Sequence, residues 1–204
     1  CRRVAPGHVQ TSTRGHLYIG HLHGRTTPPL TQLHKLLEPV IDTEVSDNIL
    51  GVLWSKLTYT CLGFFGSLAD VALTTSCAGD SSRRLLADFL AEVVAVGAAA
   101  GARFIKLAEY NPPDLHPSLP IDQRLAVVNE MAETWNDDDR KGPLRQIQRG
   151  IPTEVEFTLG YVVREGERLN VATPLCGKLL TMIHELGSGT RQLDMKNYTE
   201  LQAD

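Results

Sequence analysis

The sequence predicts a mainly α-helical α+β chain, in which a small α/β piece precedes a longer all-helical region. Two observations lead to this fold class. The first 45 residues contain short alternating segments bounded by turn residues, which is typical of strands. From residue 46 onward, apolar residues recur at helical spacing in four or five segments. With 204 residues, 42% of them hydrophobic, the chain can bury a sizeable core as one domain or two small ones.

The first 45 residues predict the element order β-β-α-β. The stretch from Val4 to Gly24 is interpreted as a hairpin or two short strands, in which residues 16–19 alternate in polarity. A helix is predicted from Pro28, because proline is tolerated in a first helical turn, and it should end at Pro39. Residues 40–45 predict one more strand. This order is typical of the closing units of a larger α/β sheet.

Residues 46–204 predict a helical domain. Asp47 is a candidate N-cap for a helix that runs through Phe65. The amphipathic pattern is strongest from Arg83 to Ala100, where one face is entirely apolar. Further helices are predicted at Ile121–Trp135, at Val155–Leu169 and at Pro174–Leu186, and the proline-rich residues 111–120 predict a loop.

Composition narrows the function classes. The net charge of −4 and the pI near 6.0 favour neither nucleic acid nor an anionic membrane as a partner. No apolar run reaches the length of a bilayer span, and the start has no signal-peptide pattern. The four cysteines lack metal-type spacing, which favours a reduced, cytoplasmic protein. Because the first residue is Cys1 rather than Met, we expect a processed, truncated or partly sequenced product.

Lys56 is the first candidate functional residue, because it lies in the middle of the most apolar predicted helix. Such a lysine either extends its charge to the surface or is held partly buried for a reason. Thr60 and Phe64 follow at i+4 and i+8, so the three side chains are predicted to share a face that could line a cleft. A surface lysine that extends its charge into solvent is the more common explanation of such a pattern.

Glu154 is the second candidate. If Thr153 caps the following helix, Glu154 and Glu156 fall in its first turn, where the helix dipole favours anions. That structural role is by itself a sufficient explanation for two acidic residues. A functional role for Glu154 therefore needs further support.

Two other kinds of site are not favoured. Five histidines fall within the first 34 residues, but no acidic residue or cysteine joins them at a recurring ligand spacing, so no metal site is predicted. No G-x-G-x-x-G follows a predicted strand, and the glycine-rich stretches lie within or at the end of predicted helices. The sequence therefore predicts that these residues lack a dinucleotide-binding loop.

Several short sequence motifs, taken in order, resemble those of the ketopantoate reductase (2-dehydropantoate 2-reductase) family, and the resemblance spans nearly the whole chain. The first group of phrases is Ala5–Val9, His16–Gly20, Ser46–Ile49 and Leu53–Leu57. The second group is Arg149–Val155, Leu159–Val163 and Ala172–Pro174. Their common order and spacing make the resemblance more specific than any single phrase.

The resemblance implies an architecture and a chemistry. Family members have an N-terminal Rossmann domain with the Gly-rich loop and a helical C-terminal domain, and the active site lies between them. Residues 1–45 then correspond to the closing strands and helix of the Rossmann domain, and residues 46–204 to the helical substrate and dimerisation domain. The implied activity is NADPH-dependent reduction of a 2-oxo acid or ketone to an alcohol, and this chain alone is expected to be inactive.

The resemblance also implies residue roles. Lys56 matches the family lysine that binds the carbonyl oxygen of the substrate and acts as general acid. Glu154 matches the glutamate that contacts the NADP(H) cofactor and organises the lysine. Thr60 and Phe64 stand at the substrate-binding positions, where the family usually has asparagines, and Gly142 begins a stretch where the family tends to have Ser-Met-x-x-Asp. These departures make ketopantoate itself a doubtful substrate, because each unpaired buried polar group costs about 1–3 kcal/mol.

Two alternatives to this enzyme remain open at the level of sequence. One is a non-catalytic helical interaction or dimerisation module derived from such a reductase. The other is a related enzyme with a Rossmann and a helical domain, such as a β-hydroxyacid or opine-type dehydrogenase. The pair Lys56 and Glu154 favours the ketopantoate reductase side. A homodimer is a further expectation for partners.

Overall fold

The computed structural model describes residues 2–10, 15–107, 110–136 and 142–203. It forms two compact units, Cys1–Leu53 and Trp54–Asp204. The chain is 59% helical with two small sheets, which confirms the predicted mainly α fold class.

The described residues of the first unit, 2–10 and 15–53, contain four short strands, one more than the three predicted. Strands β1 (Arg2–Ala5) and β2 (His8–Gln10) form an antiparallel pair. Strands β3 (His16–Ile19) and β4 (Asp42–Val45) form a parallel pair, and helix α1 (Pro28–Leu37) lies between them in the chain. A parallel pair joined through a helix is the βαβ unit, which agrees with the predicted α/β character of this region.

Helix α2 (Ile49–Phe65) was predicted with the wrong cap. Asn48, not Asp47, supplies the capping side chain, since the Gly51 amide donates to Asn48 Oδ1 at 3.3 Å. The Asn48 amide in turn donates to Ser46 Oγ at 3.0 Å, which closes the entry turn. Asn and Asp cap helices equally well, so composition alone did not separate these two neighbours.

The start of α2 belongs to the first unit, although the sequence placed a boundary after residue 45. The reason lies in close packing at Gly20, where an added Cβ would stand 2.5 Å from the Ser46 carbonyl oxygen. Gly24, with a positive φ of 68°, is equally close to the Asp47 carbonyl oxygen. These contacts fix the residues that lead into α2 against the loop after β3.

The second unit is helical and is organised around the 20-residue helix α4 (Asp80–Ala99). Helix α4 packs against α5 (Ile121–Glu133), α7 (Leu159–Leu169) and α8 (Pro174–Ser188). The remaining elements are α3 (Leu73–Ser76), α6 (Gly142–Gln148), α9 (Lys196–Gln202) and the 3₁₀ turns Pro112–Leu115 and Val155–Phe157. The predicted apolar stripe of α4 is confirmed, because all of its residues are buried. These residues are Leu86, Phe89, Leu90, Val93, Val94 and Gly97.

Helix α9 was not predicted, and tertiary contacts explain why. Its sequence is mostly polar and only seven residues long, so it has little helical signal of its own. Tyr198 on this helix is buried and donates its hydroxyl to the Phe65 carbonyl oxygen at 3.0 Å. Asn197, also buried, donates to the Leu68 carbonyl oxygen at 2.8 Å. The helix therefore depends on its contacts with the end of α2.

The cysteines of the second unit, Cys61, Cys77 and Cys176, are buried free thiols. Burial raises the pKa of Cys61 and of Cys77 to about 12, so these side chains act as small apolar groups. Among the residues that the structure describes, no helix combines the length and apolar character needed to cross a bilayer.

Glu92 of α4 caps the N-terminus of α8 from a distance. Its two carboxylate oxygens accept hydrogen bonds from the Leu175 amide at 3.0 Å and the Cys176 amide at 2.9 Å. Burial is the main cause that raises the pKa of Glu92 above its ordinary value, and the two amides oppose it. The carboxylate thereby fastens α8 to the central helix.

We expect Glu92→Ala to lower the free energy of unfolding by about 1–3 kcal/mol at neutral pH, since two amides lose their acceptor. Urea unfolding measures this change. Glu130→Ala, at an exposed position on α5, is the control and should change stability by less than about 0.5 kcal/mol. An equal effect of both substitutions would contradict the capping role.

The pH dependence of the same group has a defined sign. Because the folded-state pKa of Glu92 is raised, the folded state binds more protons between the unfolded and folded pKa values. Raising the pH through that window should therefore lower the contribution of Glu92 to the free energy of unfolding. The difference in that free energy between the original chain and Glu92→Ala, measured across the window, should shrink as the pH rises; a constant difference would contradict this account.

Candidate active site

Lys56 lies on the exposed side of α2. Its Nζ stands 5.1 Å from the centroid of the Tyr59 ring, a distance at which a cation is attracted to the face of an aromatic ring. The Lys56 carbonyl oxygen accepts a hydrogen bond from Thr60 Oγ1 at 2.9 Å. The exposed Lys56 side chain thus has its ammonium beside an aromatic ring.

Ser55, the residue before Lys56, fixes this part of α2 in the second unit. Its side chain is completely buried, and its hydroxyl donates to the Ile105 carbonyl oxygen at 2.9 Å. The same hydroxyl accepts from the Ile105 amide at 2.9 Å. Tyr110 adds a weaker hydrogen bond from its hydroxyl to the Ser55 carbonyl oxygen at 3.4 Å. The segment around Ile105 therefore sets the rotation of α2 that exposes Lys56.

Trp54 connects α2 to two other helices. It lies against Gly97 of α4, where an added Cβ would come within 2.9 Å of the indole and 2.6 Å of the Phe104 ring. On its other side, the ring centroids of Trp54 and Tyr161 are 5.8 Å apart. Since Tyr161 belongs to the first turn of α7, α2 meets α7 two residues before Lys56.

The side chains predicted to share a face with Lys56 lie at different depths. Thr60 is half-buried, and Phe64 is completely buried in the core of the second unit. Phe64 therefore has no accessible surface for a substrate in this structure, which corrects the prediction of one shared cleft face. The reason is helical geometry, because positions i and i+8 differ by about 80° around the axis. The face rotates from solvent at Lys56 into the core at Phe64.

Glu154 lies before α7, in the N-cap position of the 3₁₀ turn Val155–Phe157. Its side chain is exposed, and its carbonyl oxygen accepts hydrogen bonds from the Phe157 amide at 3.0 Å and Thr158 Oγ1 at 2.9 Å. The predicted cap at Thr153 is wrong, since α7 begins only at Leu159. Glu154 is therefore positioned by a separate 3₁₀ turn and not by the first turn of an α-helix.

Glu156, in the middle of this turn, forms hydrogen bonds with two basic side chains. Its carboxylate accepts from Arg164 Nη1 at 2.9 Å and from His184 Nε2 at 2.6 Å. Sequence reasoning assigned Glu156 only to a helix terminus, because Arg164 and His184 lie at separations that match no local pairing rule. The sequence feature that could have indicated this cluster is Gly160, because a glycine inside a helix often marks a close approach of another group.

Lys56 and Glu154 belong to the same unit, and their elements approach each other through the contact between Trp54 and Tyr161. Both side chains are exposed. The contact itself lies on the buried side of α2, since Trp54 is buried and Lys56 is exposed.

His16 and His34, two of the five histidines in the first 34 residues, have hydrogen-bond partners within the first unit. His16 Nδ1 is paired with Asp42 Oδ2 at 2.8 Å, and the His34 ring bonds to the Thr43 carbonyl oxygen at 2.9 Å. Within the described ranges, no three His, Cys, Asp or Glu side chains are grouped as metal ligands.

Comparison with known proteins identifies the family to which this fold is similar. The family model for the C-terminal domain of ketopantoate reductase PanE/ApbA matches residues 48–187. The 2-dehydropantoate 2-reductase of Mesorhizobium japonicum is 22% identical over 185 residues, which cover 89% of this chain and 51% of that protein. The enzyme of the same name from Archaeoglobus fulgidus is 23% identical over 184 residues, covering 90% and 56%. The chain spans about half the length of the curated relatives it matches.

Solved structures agree on the fold. A PanE/ApbA family ketopantoate reductase from Ralstonia eutropha JMP134 superposes with a TM-score of 0.72 at 23% identity, over 93% of this chain and 57% of that one. D-mandelate dehydrogenase with NADH and anilino(oxo)acetate gives 0.64 at 19% identity, over 89% and 70%. A dimeric ketopantoate reductase from Staphylococcus aureus gives 0.64 at 16% identity, over 82% and 54%. Since the family model covers more than half of the residues, the chain belongs to the family of ketopantoate reductase PanE/ApbA C-terminal domains.

Proposed function

We propose that the intact protein is an NADPH-dependent reductase of a 2-oxo acid or ketone and that this chain carries its substrate half, with Lys56 as general acid. The observation that carries the proposal is the exposed ammonium of Lys56 on a helix whose rotation is fixed by buried contacts. This helix lies within the part of the chain that matches the reductase family.

The proposed reaction needs one hydride, one proton and a carbonyl group. When bound, NADPH supplies the hydride to the carbonyl carbon. The Lys56 ammonium donates a hydrogen bond to the carbonyl oxygen, stabilises the negative charge that grows there and transfers its proton to give the alcohol. Water then returns a proton to the Lys56 amine. A fixed α2 contributes by holding Nζ where the oxygen gains charge.

Glu154 has a supporting role in this proposal. An exposed carboxylate on a turn beside α7 is suited to contact the ribose hydroxyls or amide of the cofactor and to orient the Lys56 ammonium. Lys56 and Glu154 would contact the reacting end of NADPH in this proposal, whereas no G-x-G-x-x-G loop in this sequence fits its pyrophosphate.

The substrate is proposed to be less polar than ketopantoate. The hydroxyl of Thr60 is bonded to its own helix, and Phe64 is in the core, so neither offers the amide that the family pattern has at these positions. D-mandelate dehydrogenase, whose fold is similar, was solved with anilino(oxo)acetate, a ligand that carries an aromatic ring. We therefore propose a 2-oxo acid or ketone with an apolar substituent.

A second candidate function is a non-catalytic dimerisation module. Phe157 is 85% exposed, and Tyr161, one turn further on, is 39% exposed. Large aromatic side chains with this exposure are typical of contact surfaces. NADPH binding by the intact protein separates the two candidates, because a module without catalysis has no need for that affinity.

In the intact protein, we expect Lys56→Ala to lower kcat by about 10²- to 10⁴-fold, since the general acid and its charge are lost. The exposed side chain makes few packing contacts, so the urea midpoint should change little. The rate of NADPH oxidation with a panel of 2-oxo acids measures the effect. Lys196→Ala, at an exposed lysine on α9, is the matched control; unchanged turnover in Lys56→Ala would remove this residue from the mechanism.

Residues 1–204 alone should bind NADPH only weakly, because they contain no glycine turn and helix N-terminus for the pyrophosphate. Isothermal titration of the isolated chain with NADPH tests this expectation. A dissociation constant in the micromolar range would show that the cofactor is held by residues not identified above.

A further inference from the structure

Glu156, Gly160, Arg164 and His184 form a connected set, the Glu156 network. Arg164 donates twice to Glu156, from Nη1 to the carboxylate at 2.9 Å and from Nη2 to the main-chain carbonyl at 2.8 Å. His184 Nε2 donates to the other carboxylate oxygen at 2.6 Å. Residues from α7 and α8 thus hold both the side chain and the backbone of Glu156.

Gly160 provides the space for this arrangement. A Cβ at Gly160 would stand 2.7 Å from Glu156 Oε2 and 3.1 Å from Arg164 Nη1. Glycine inside a helix costs up to about 1 kcal/mol relative to alanine. Its presence in the first turn of α7 is explained by the close approach of the carboxylate to the helix.

The network is the long-range attachment of the turn that presents Glu154. The hydrogen bonds donated by the Phe157 and Thr158 amides and by Thr158 Oγ1 stay within residues 154–158, and the Val162 amide joins the Thr158 carbonyl to the adjoining α7. The bonds within residues 154–158 shape the turn but do not fix it to the rest of the molecule. Val155, which is buried, packs into the core and provides the only apolar anchor described within the turn.

The geometry points to Glu156 as a positioning residue: through Arg164 and His184 it holds the 3₁₀ turn so that Glu154 faces the reacting groups. This inference rests on the proposed function of Glu154. The hydrogen bonds from His184 and Arg164 lower the pKa of Glu156, so its carboxylate stays ionised at neutral pH and keeps both partners. Glu156 itself touches neither substrate nor cofactor in this role.

Gly160→Ala is the sharpest test, because it displaces flexible side-chain ends and no backbone atom. Alanine also favours the helix, so a purely structural view predicts equal or higher stability. We expect kcat of the intact protein to fall by about 10-fold or more while the urea midpoint is unchanged or raised, since small displacements of catalytic groups reduce rates strongly. Gly177→Ala, on α8 with open space around the added methyl group, is the matched control.

Glu156→Gln should reduce kcat similarly. Its control is Glu165→Gln, which removes another carboxylate paired with an arginine on α7. If Glu156→Gln fails to fold, Gly160→Ala still decides the question. Normal turnover in Gly160→Ala, with a folded protein, would overturn the inference.

A double substitution separates this inference from the proposed function. Glu154→Gln alone tests whether Glu154 contributes; if its kcat is normal, the role of Glu154 and the inference both fail. If Glu154→Gln is impaired and Gly160→Ala is not, only the inference fails. If both are impaired, Glu154→Gln combined with Gly160→Ala should be no slower than Glu154→Gln alone. Losses that multiply would show that the network acts independently of Glu154 and would contradict the inference.

Discussion

The hydroxyl of Ser55, held between the amide and the carbonyl of Ile105, is the constraint on which the account of this molecule depends. The hydroxyl is donor and acceptor at once, so it satisfies both main-chain groups of Ile105, a residue outside any helix or strand. Because the Ser55 side chain is completely buried, a rotation of α2 that broke both bonds would leave its hydroxyl without a partner, which costs free energy. That rotation places Lys56 on the surface and Phe64 in the core.

Packing around Trp54 extends this constraint to the other helices. The absence of a side chain at Gly97 lets the indole and the Phe104 ring rest directly on α4. Tyr161 meets the same indole from α7, so the residues beside Lys56 contact the element that follows Glu154. Helices α2 and α7, which carry or adjoin the two candidate residues, are thus connected through Trp54.

Long periodic segments and ordered motifs were predictable from the sequence. The apolar stripe of α4 has the period of a buried helix face, and the common order of several short motifs indicated the family that the match over residues 48–187 shows. Elements fixed by tertiary contacts were not predictable: α9 depends on Tyr198 and Asn197, and the capping acceptor of α8 comes from Glu92 on another helix. The candidate site residues divide in the same way. Lys56 and Glu154 lie in recognisable sequence motifs, whereas the partners of Ser55 and Glu156 come from other parts of the chain and have no local sequence pattern. Asp47 and Asn48, adjacent and equally suited as caps, show that a local rule identifies a boundary without always identifying its residue.

The most direct measurement is a crystal structure of the intact protein with NADP⁺ and an unreactive 2-oxo acid analogue such as oxamate. We expect Lys56 Nζ to lie within about 3 Å of the carbonyl oxygen of the analogue, with the Glu154 carboxylate in the same site. Oxamate bound away from Lys56, or Lys56 and Glu154 on opposite sides of the molecule with no shared cavity, would contradict it.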